Sequence, residues 1–142
     1  MSMIKIRHIG IVTKNLKRSL DFWGKTLGFK VKKTLNESGE LIDKIIGYKN
    51  VKVKTLKLAD NFGNLIEILY FLNSPKLKKI NIKPYTNGYT HISLTVKNIK
   101  FIYKILKKKK IAFNSFPKKS ADGKVLMTYC KTPEGAFLEL VK

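Results

Sequence analysis

The chain has 142 residues, of which 44% are hydrophobic, a size typical of one globular domain or of two small modules. Its formal net charge is +21, and lysine supplies nearly all of the basic residues because only Arg7 and Arg18 are arginine. No apolar stretch has the roughly 20 residues of a membrane-spanning helix, the first residues do not resemble a signal peptide, and a lone cysteine, Cys130, excludes an internal disulfide and a cysteine-based zinc site. We therefore expect a cytoplasmic protein without a membrane partner.

The excess of lysine has two interpretations. A basic surface can attract nucleic acid, an anionic membrane surface or an anionic substrate. Nucleic-acid-binding surfaces depend on arginine for bidentate and stacking contacts, so we expect no nucleic-acid partner. The ten Asn, sixteen Ile and four Ala instead fit a bias toward A/T-rich codons. The charge would then act at most by concentrating an anionic small-molecule substrate.

The first half of the chain alternates strand and helix signals. Asn15 is a predicted N-cap, and Gly28 is the predicted end of the helix that follows it. A short helix is predicted at 41–46, with turns at 37–39 and 60–63. Runs rich in β-branched or alternating apolar residues predict strands at 4–13, 29–35, 51–58 and 65–72.

The second half repeats this order after a lysine-rich linker predicted at 75–87. Asn98 is a predicted N-cap, and the run 107–110 is predicted to close its helix, where cations are favoured by the helix dipole. The apolar stripe of that helix consists of Phe101, Ile102, Ile105 and Leu106. Strands are predicted at 89–96, 111–116, 125–131 and 136–141, with a tight turn at 132–135.

An internal repeat explains this order. Residues 8–17 align with residues 91–100 at a constant offset of 83, and residues 63–69 align with 135–141 at an offset of 72. The chain is therefore a tandem duplication of a βαβββ unit, which predicts an α+β protein. We expect a single domain over 1–142, with module 1 at about 1–74, the linker at about 75–87 and module 2 at about 88–142.

The repeat also places four metal-ligand-type residues at equivalent positions. These residues are His8, Glu67, His91 and Glu139. Taken singly, each could be a structural histidine or a solvent-facing glutamate. Together they predict a site, because a carboxylate within an apolar strand is costly to bury unless it meets a cation or a metal. Two imidazoles and two carboxylates suit one divalent ion of zinc, nickel, cobalt, manganese or iron(II), and they leave positions free for water or substrate.

The motifs around these residues resemble the vicinal oxygen chelate superfamily, which includes glyoxalase I, methylmalonyl-CoA epimerase, extradiol dioxygenases and the fosfomycin and bleomycin resistance proteins. The resemblance covers nearly the whole chain and rests on four segments, 8–29, 64–69, 88–98 and 132–140. It implies paired βαβββ modules that form a U-shaped mixed sheet around one metal ion, and a homodimer.

The complete ligand set looks most like bacterial glyoxalase I. That resemblance implies a lyase or isomerase that moves a proton between adjacent carbons of a small α-carbonyl substrate through an enediolate, with Glu139 as the first choice for the proton carrier and Glu67 as the second. The alternatives within the superfamily are an extradiol-type dioxygenase, which resembles a site with no ligand at the Glu67 position, and a metal-free small-molecule or antibiotic-binding protein.

The chain departs from the patterns of glyoxalase I and of the epimerases at three points. Glyoxalase I carries an Arg and an Asn that grip glutathione four residues after its first and second ligands, where this chain has Val12 and Phe71. An apolar pair cannot hold a carboxylate, which argues against glutathione. The epimerases use Gln as their second ligand, and this chain contains no Gln.

The remaining conspicuous side chains have simpler interpretations. Phe22 and Trp23 are predicted core residues, and Cys130 is predicted to be a small buried hydrophobe without an activating neighbour. Tyr70 and Tyr129 are candidates for lining a substrate pocket, because each lies in a strand that is predicted to carry site residues.

Overall fold

The computed structural model describes residues 3–76 and 80–142. The chain divides into two compact units, Met1–Lys78 and Lys79–Lys142, and each unit contains one four-stranded sheet. The predicted α+β class and the tandem βαβββ order are confirmed. The predicted linker at 75–87 forms no helix or strand in its described residues, and its residues 77–79 lie outside the described part of the chain. The module boundaries within a single domain stay a prediction.

The first unit builds its sheet in the order β1-β4-β3-β2. Strand β1 is parallel to β4, and the other pairs are antiparallel. Its elements are β1 (Ile9–Val12), α1 (Leu16–Leu20), β2 (Lys30–Ser38), α2 (Glu40–Ile46), β3 (Lys52–Ala59) and β4 (Leu65–Phe71).

Local sequence accounts for the position of the first helix. The Asn15 side chain accepts a hydrogen bond from the Arg18 N–H at 3.0 Å, which confirms the predicted N-cap. Helix α1 continues as a π-helical turn over Asp21–Thr26. That turn carries Phe22 and the fully buried Trp23 into the core, where Trp23 meets Phe22 edge-on at a centroid distance of 5.1 Å. The predicted core roles of both residues are confirmed.

The second unit repeats the topology as β5-β8-β7-β6, again with one parallel pair, β5 and β8. Asn98 caps its helix by accepting a hydrogen bond from the Phe101 N–H at 3.0 Å, as predicted. Its elements are β5 (His91–Thr95), α3 (Ile99–Lys108), β6 (Lys118–Lys119), β7 (Leu126–Lys131) and β8 (Phe137–Val141). None of the helices in residues 3–76 and 80–142 has the length and apolarity needed to span a bilayer.

Several predicted strand limits are wrong. The strand predicted at 4–13 is only β1, because its parallel pairing with β4 begins at Ile9 and Ile66 and ends at Val12 and Leu69. The strand predicted at 89–96 shortens to β5 in the same way. Strand β2 instead runs on to Ser38, through the predicted turn, because Glu37 and Ser38 pair with Val53 and Lys52.

The prediction of a strand at 111–116 is also wrong. In its place there is a single bridge between Phe113 and Cys130, and the edge strand β6 lies farther along, at Lys118–Lys119. The four residues 114–117 stand against only two residues of β7, so the chain must bulge out of the ladder. Pro117 adds to this interruption because it has no N–H to donate.

Candidate metal centre

The first unit pairs His8 with Glu67. Glu67 lies in the middle of β4, where the adjacent Ile66 and Ile68 are buried on the core side and Glu67 therefore lies on the opposite face. His8 immediately precedes β1, which runs parallel to β4. The imidazole Nε2 of His8 lies 3.5 Å from Oε1 of Glu67, and the Glu67 side chain is only 15% exposed.

The second unit pairs His91 with Glu139 in the same way. His91 is the first residue of β5, and Glu139 lies in the parallel strand β8. Nε2 of His91 lies 3.6 Å from Oε2 of Glu139. The other ring nitrogen, Nδ1, lies 3.0 Å from the Thr90 hydroxyl. This hydrogen bond fixes the orientation of the ring and leaves Nε2 facing the carboxylate.

The two pairs fit the donor set of a metal site. Two donors that each lie about 2.1 Å from one ion are separated by roughly 3.0–3.5 Å, and the observed separations of 3.5 Å and 3.6 Å lie at or just above the upper end of that range. The two rings differ at the other nitrogen, because the buried Nδ1 of His8 has no hydrogen-bond partner among the described residues. Within residues 3–76 and 80–142, neither unit holds a group of three or more His, Cys, Asp or Glu side chains suited to a metal ion. Each unit by itself therefore supplies two donors.

The two carboxylates differ in the residue that lies beside them on the neighbouring strand. Lys57 of β3 stands opposite Glu67, and its Nζ lies 3.7 Å from Glu67 Oε2. Tyr129 of β7 stands opposite Glu139 at the equivalent ladder position. The pKa of Tyr129 is raised from its ordinary value by burial and by the negative charge and hydrogen bonding of Glu139. One carboxylate thus faces an ammonium group, and the other faces a neutral phenol.

A small cavity of about 120 Å³ adjoins His91 in the second unit. Tyr129 lines this cavity, and its ring packs edge-on against the His91 ring at a centroid distance of 5.3 Å, whereas its predicted role in a substrate pocket stays a prediction. Tyr70 is partly buried in β4, and its role in a pocket stays a prediction. The cavity is lined by Pro84, Thr90, His91, Asn114, Tyr129 and Phe137.

Sequence reasoning missed Lys57, Thr90 and Asn114. A signal for Lys57 was present, because Lys57 and Tyr129 differ by the same 72 positions as Glu67 and Glu139. Cys130 behaves as predicted: it is fully buried, and burial raises the pKa of its thiol to about 12.

Comparison with known proteins places this architecture in a family. The chain is 28% identical over 139 residues to the mitochondrial methylmalonyl-CoA epimerase of Dictyostelium discoideum, covering 96% of this chain and 76% of that protein. Its fold is similar to a glyoxalase family protein from Bacillus cereus, with a TM-score of 0.88, 20% identity and coverage of 99% and 95% of the two chains. It is also similar to the trypanothione-dependent glyoxalase I of Leishmania major, with a TM-score of 0.63, 20% identity and coverage of 95% and 84%. The family model of the Glyoxalase/Bleomycin resistance protein/Dioxygenase superfamily matches residues 5–140, and the chain therefore belongs to that superfamily.

Proposed function

We propose that His8, Glu67, His91 and Glu139 bind one divalent transition-metal ion, and that the protein is a metal-dependent isomerase or lyase acting on small α-carbonyl compounds. One observation carries the proposal: the same His–Glu pair recurs in both units, at 3.5 Å and 3.6 Å. The ion would be nickel, zinc, cobalt, manganese or iron(II), all of which accept imidazole and carboxylate ligands.

The two histidines act as ligands in this proposal. When bound, a divalent ion acts as a Lewis acid that polarises a substrate carbonyl and acidifies the neighbouring carbon-bound hydrogen. The Nε2 atoms of His8 and His91 face the carboxylates, and that atom is the one each ring would give to the ion. For His91, the Thr90 hydroxyl occupies the other nitrogen, which leaves this ring no free nitrogen to act as a base.

The proton between adjacent carbons would be carried by Glu139 first and by Glu67 second. Glu139 contacts His91 and stands opposite Tyr129, and both of these residues line the 120 Å³ cavity. Its neighbour on the adjacent strand is a neutral phenol. Glu67 faces His8 through one oxygen and the ammonium of Lys57 through the other. Both oxygens of Glu67 therefore already face a partner, which makes Glu67 the second choice.

The relatives support an isomerase or lyase more than an oxygenase. Two similar proteins are named as a methylmalonyl-CoA epimerase and a glyoxalase I. Val12 is half exposed and Phe71 is partly buried, and neither side chain can bind a carboxylate, so glutathione is not the substrate that we propose.

The proposal also includes a homodimer and a cytoplasmic location. Light scattering of the purified protein tests whether it is a homodimer.

The proton-transfer role is tested by hydrogen exchange. The metal-loaded protein is incubated in D₂O with small α-hydroxy ketones and 2-substituted acyl thioesters, and deuterium incorporation at carbon is followed by NMR. We expect exchange in the wild type, loss of exchange in Glu139→Gln, and a smaller loss in Glu67→Gln, with metal content measured in each variant. Glu40→Gln, on the exposed surface of α2, is the control. Full turnover in both site variants would contradict the proposal, and oxygen consumption would favour the dioxygenase alternative.

A further inference from the structure

We infer that Lys57 is an internal cation that competes with the divalent ion for Glu67 and thereby lowers the affinity of the proposed site for the ion. This inference rests on the proposed function and concerns a residue that the proposed ligand set does not include.

The two oxygens of Glu67 are divided between two groups. Oε1 faces the imidazole of His8 at 3.5 Å, and Oε2 faces the ammonium of Lys57 at 3.7 Å. The Lys57 side chain is only 26% exposed, so the pair is partly shielded from water. Electrostatic interactions are stronger at such positions than between fully solvated surface charges. Glu67 therefore already has a cationic partner before any metal arrives.

The row of residues across the first sheet offers Lys57 no other anion. Lys57 stands between Glu67 on β4 and Lys33 on β2, and Gly10 of β1 stands on the far side of Glu67. Lys33 carries a like charge, and like charges opposite each other on a sheet repel. Gly10 has no side chain that could share the carboxylate. The arrangement therefore directs the ammonium of Lys57 toward Glu67.

The second unit provides a natural comparison. In its equivalent row, Glu139 stands between Tyr129 and Ser93, and neither of these side chains is a cation. Lys131 of β7 is engaged elsewhere, because its Nζ donates to the carbonyls of Ile82 and Gly135 and lies over the Phe137 ring. The carboxylate of the second pair is thus free of a competing ammonium at this position.

The positive charge of Lys57 should weaken the binding of a divalent ion. A divalent ion shared by His8 and Glu67 Oε1 would lie within a few ångströms of a fixed positive charge at Oε2. The repulsion between these charges falls only as the inverse of their distance and is screened little at a shielded site. Removing the positive charge of Lys57 should therefore tighten metal binding, whereas removal of an ordinary supporting residue would weaken it.

A double-mutant cycle on metal affinity tests the inference. The affinity for Ni²⁺ is measured by isothermal titration calorimetry in the wild type, Lys57→Met, Glu67→Gln and the double variant, without any substrate. We expect Lys57→Met to bind Ni²⁺ about tenfold more tightly than the wild type, because a positive charge a few ångströms from the ion opposes its binding. The gain should be smaller in the Glu67→Gln background, where Lys57 no longer competes for the carboxylate and only its direct repulsion of the ion is left.

Two further variants complete the test. Lys57→Arg keeps the positive charge and should bind Ni²⁺ like the wild type. Lys54→Met, on the opposite face of the same strand, removes one positive charge without touching Glu67 and should also leave the affinity unchanged. Equal or weaker binding by Lys57→Met, when the wild type binds Ni²⁺, would overturn the inference and leave the proposed function standing. If only Lys57→Met binds Ni²⁺, the inference is supported. If neither protein binds it, both proposals fail.

Discussion

In the second unit, Nε2 of His91 lies 3.6 Å from Oε2 of Glu139, and the pairing of two parallel strands fixes this relationship. His91 stands opposite Phe137, two residues before Glu139, so His91 and Glu139 are diagonal neighbours on one face of the sheet. In the first unit, the pairing of Ile9 with Ile66 sets His8 on the same diagonal to Glu67. The topology of the duplicated unit, and not chance contact, therefore brings each histidine to its glutamate.

The helix caps should contribute measurably to stability. Asn98→Ala removes the side-chain oxygen that accepts the Phe101 N–H, and Asn15→Ala removes the equivalent bond to Arg18. Each substitution should lower the free energy of unfolding by about 1 kcal/mol. Urea denaturation measures this change. Asn81→Ala, an exposed position outside the helices and strands, should change the free energy by less than about 0.5 kcal/mol.

Cys130 should be unreactive in the native protein. Its thiol is fully buried, and burial raises its pKa from 9.0 to about 12, so hardly any thiolate is present at pH 8. A thiol reagent should therefore label the protein only in denaturant. The raised pKa also implies that the thiol contributes stability that is fully present below about pH 9 and is lost as the pH rises toward 12. Fast labelling of the folded protein at pH 8 would contradict this account.

Helix α3 should be stabilised by introducing the ion-pair pattern that Asp21 forms across α1 and the π-helical turn after it. Lys17 and Lys25 each lie 2.8 Å from Asp21, whereas the positions 83 residues later are Lys100, Lys104 and Lys108. Lys104→Glu replaces two like-charge contacts with two ion pairs and should raise the free energy of unfolding by roughly 0.5–1 kcal/mol at low salt.

Controls for this substitution follow from its electrostatic cause. Lys104→Gln removes only the repulsion, so it should give a smaller gain than Lys104→Glu. Both gains should shrink in 1 M salt, where the Debye length is about 3 Å. A gain for Lys104→Glu that is unchanged by salt would point to helix propensity instead.

Asp21 should titrate at an unusually low pH. Hydrogen bonds from Lys17 and then Lys25 lower the pKa of its carboxyl group from 3.8 to about 2. Because the folded pKa lies below the unfolded one, the contribution of this cluster to stability is present above about pH 4 and is lost as the pH falls toward 2. NMR titration of the Asp21 carboxyl carbon checks the value, and Lys17→Met should move it upward. An ordinary titration near pH 4 in the wild type would contradict the geometry of the cluster.

The sequence predicts features that depend on local chemistry better than features that depend on pairing. The caps Asn15 and Asn98 act within three residues of themselves, and both were predictable. The limits of β1 could not be predicted in this way, because they depend on where β4 begins more than 50 positions later. The bulge at 114–117 depends in the same way on the register of β7.

The same distinction applies to the candidate site. The four proposed ligands follow from the repeat, because each has a counterpart at a fixed offset. Lys57 is one of 28 lysines, and although the repeat aligns it with Tyr129, its position opposite Glu67 follows from the register of β3 against β4. The contact of Thr90 with His91 depends on the rotamer of a side chain, which the sequence does not specify.

The proposal that both His–Glu pairs bind one ion is tested most directly by the stoichiometry of metal binding. The protein, freed of any affinity tag and of bound metal, is titrated with Ni²⁺ in the wild type, His8→Ala and His91→Ala, with Asp21→Asn as the control. Because the chain contains only these two histidines, each substitution removes one defined donor. We predict one ion per chain in the wild type and in Asp21→Asn, with affinity for that same ion lowered at least about tenfold in each histidine variant. Two independent ions per chain, or binding that both histidine variants retain unchanged, would contradict the account.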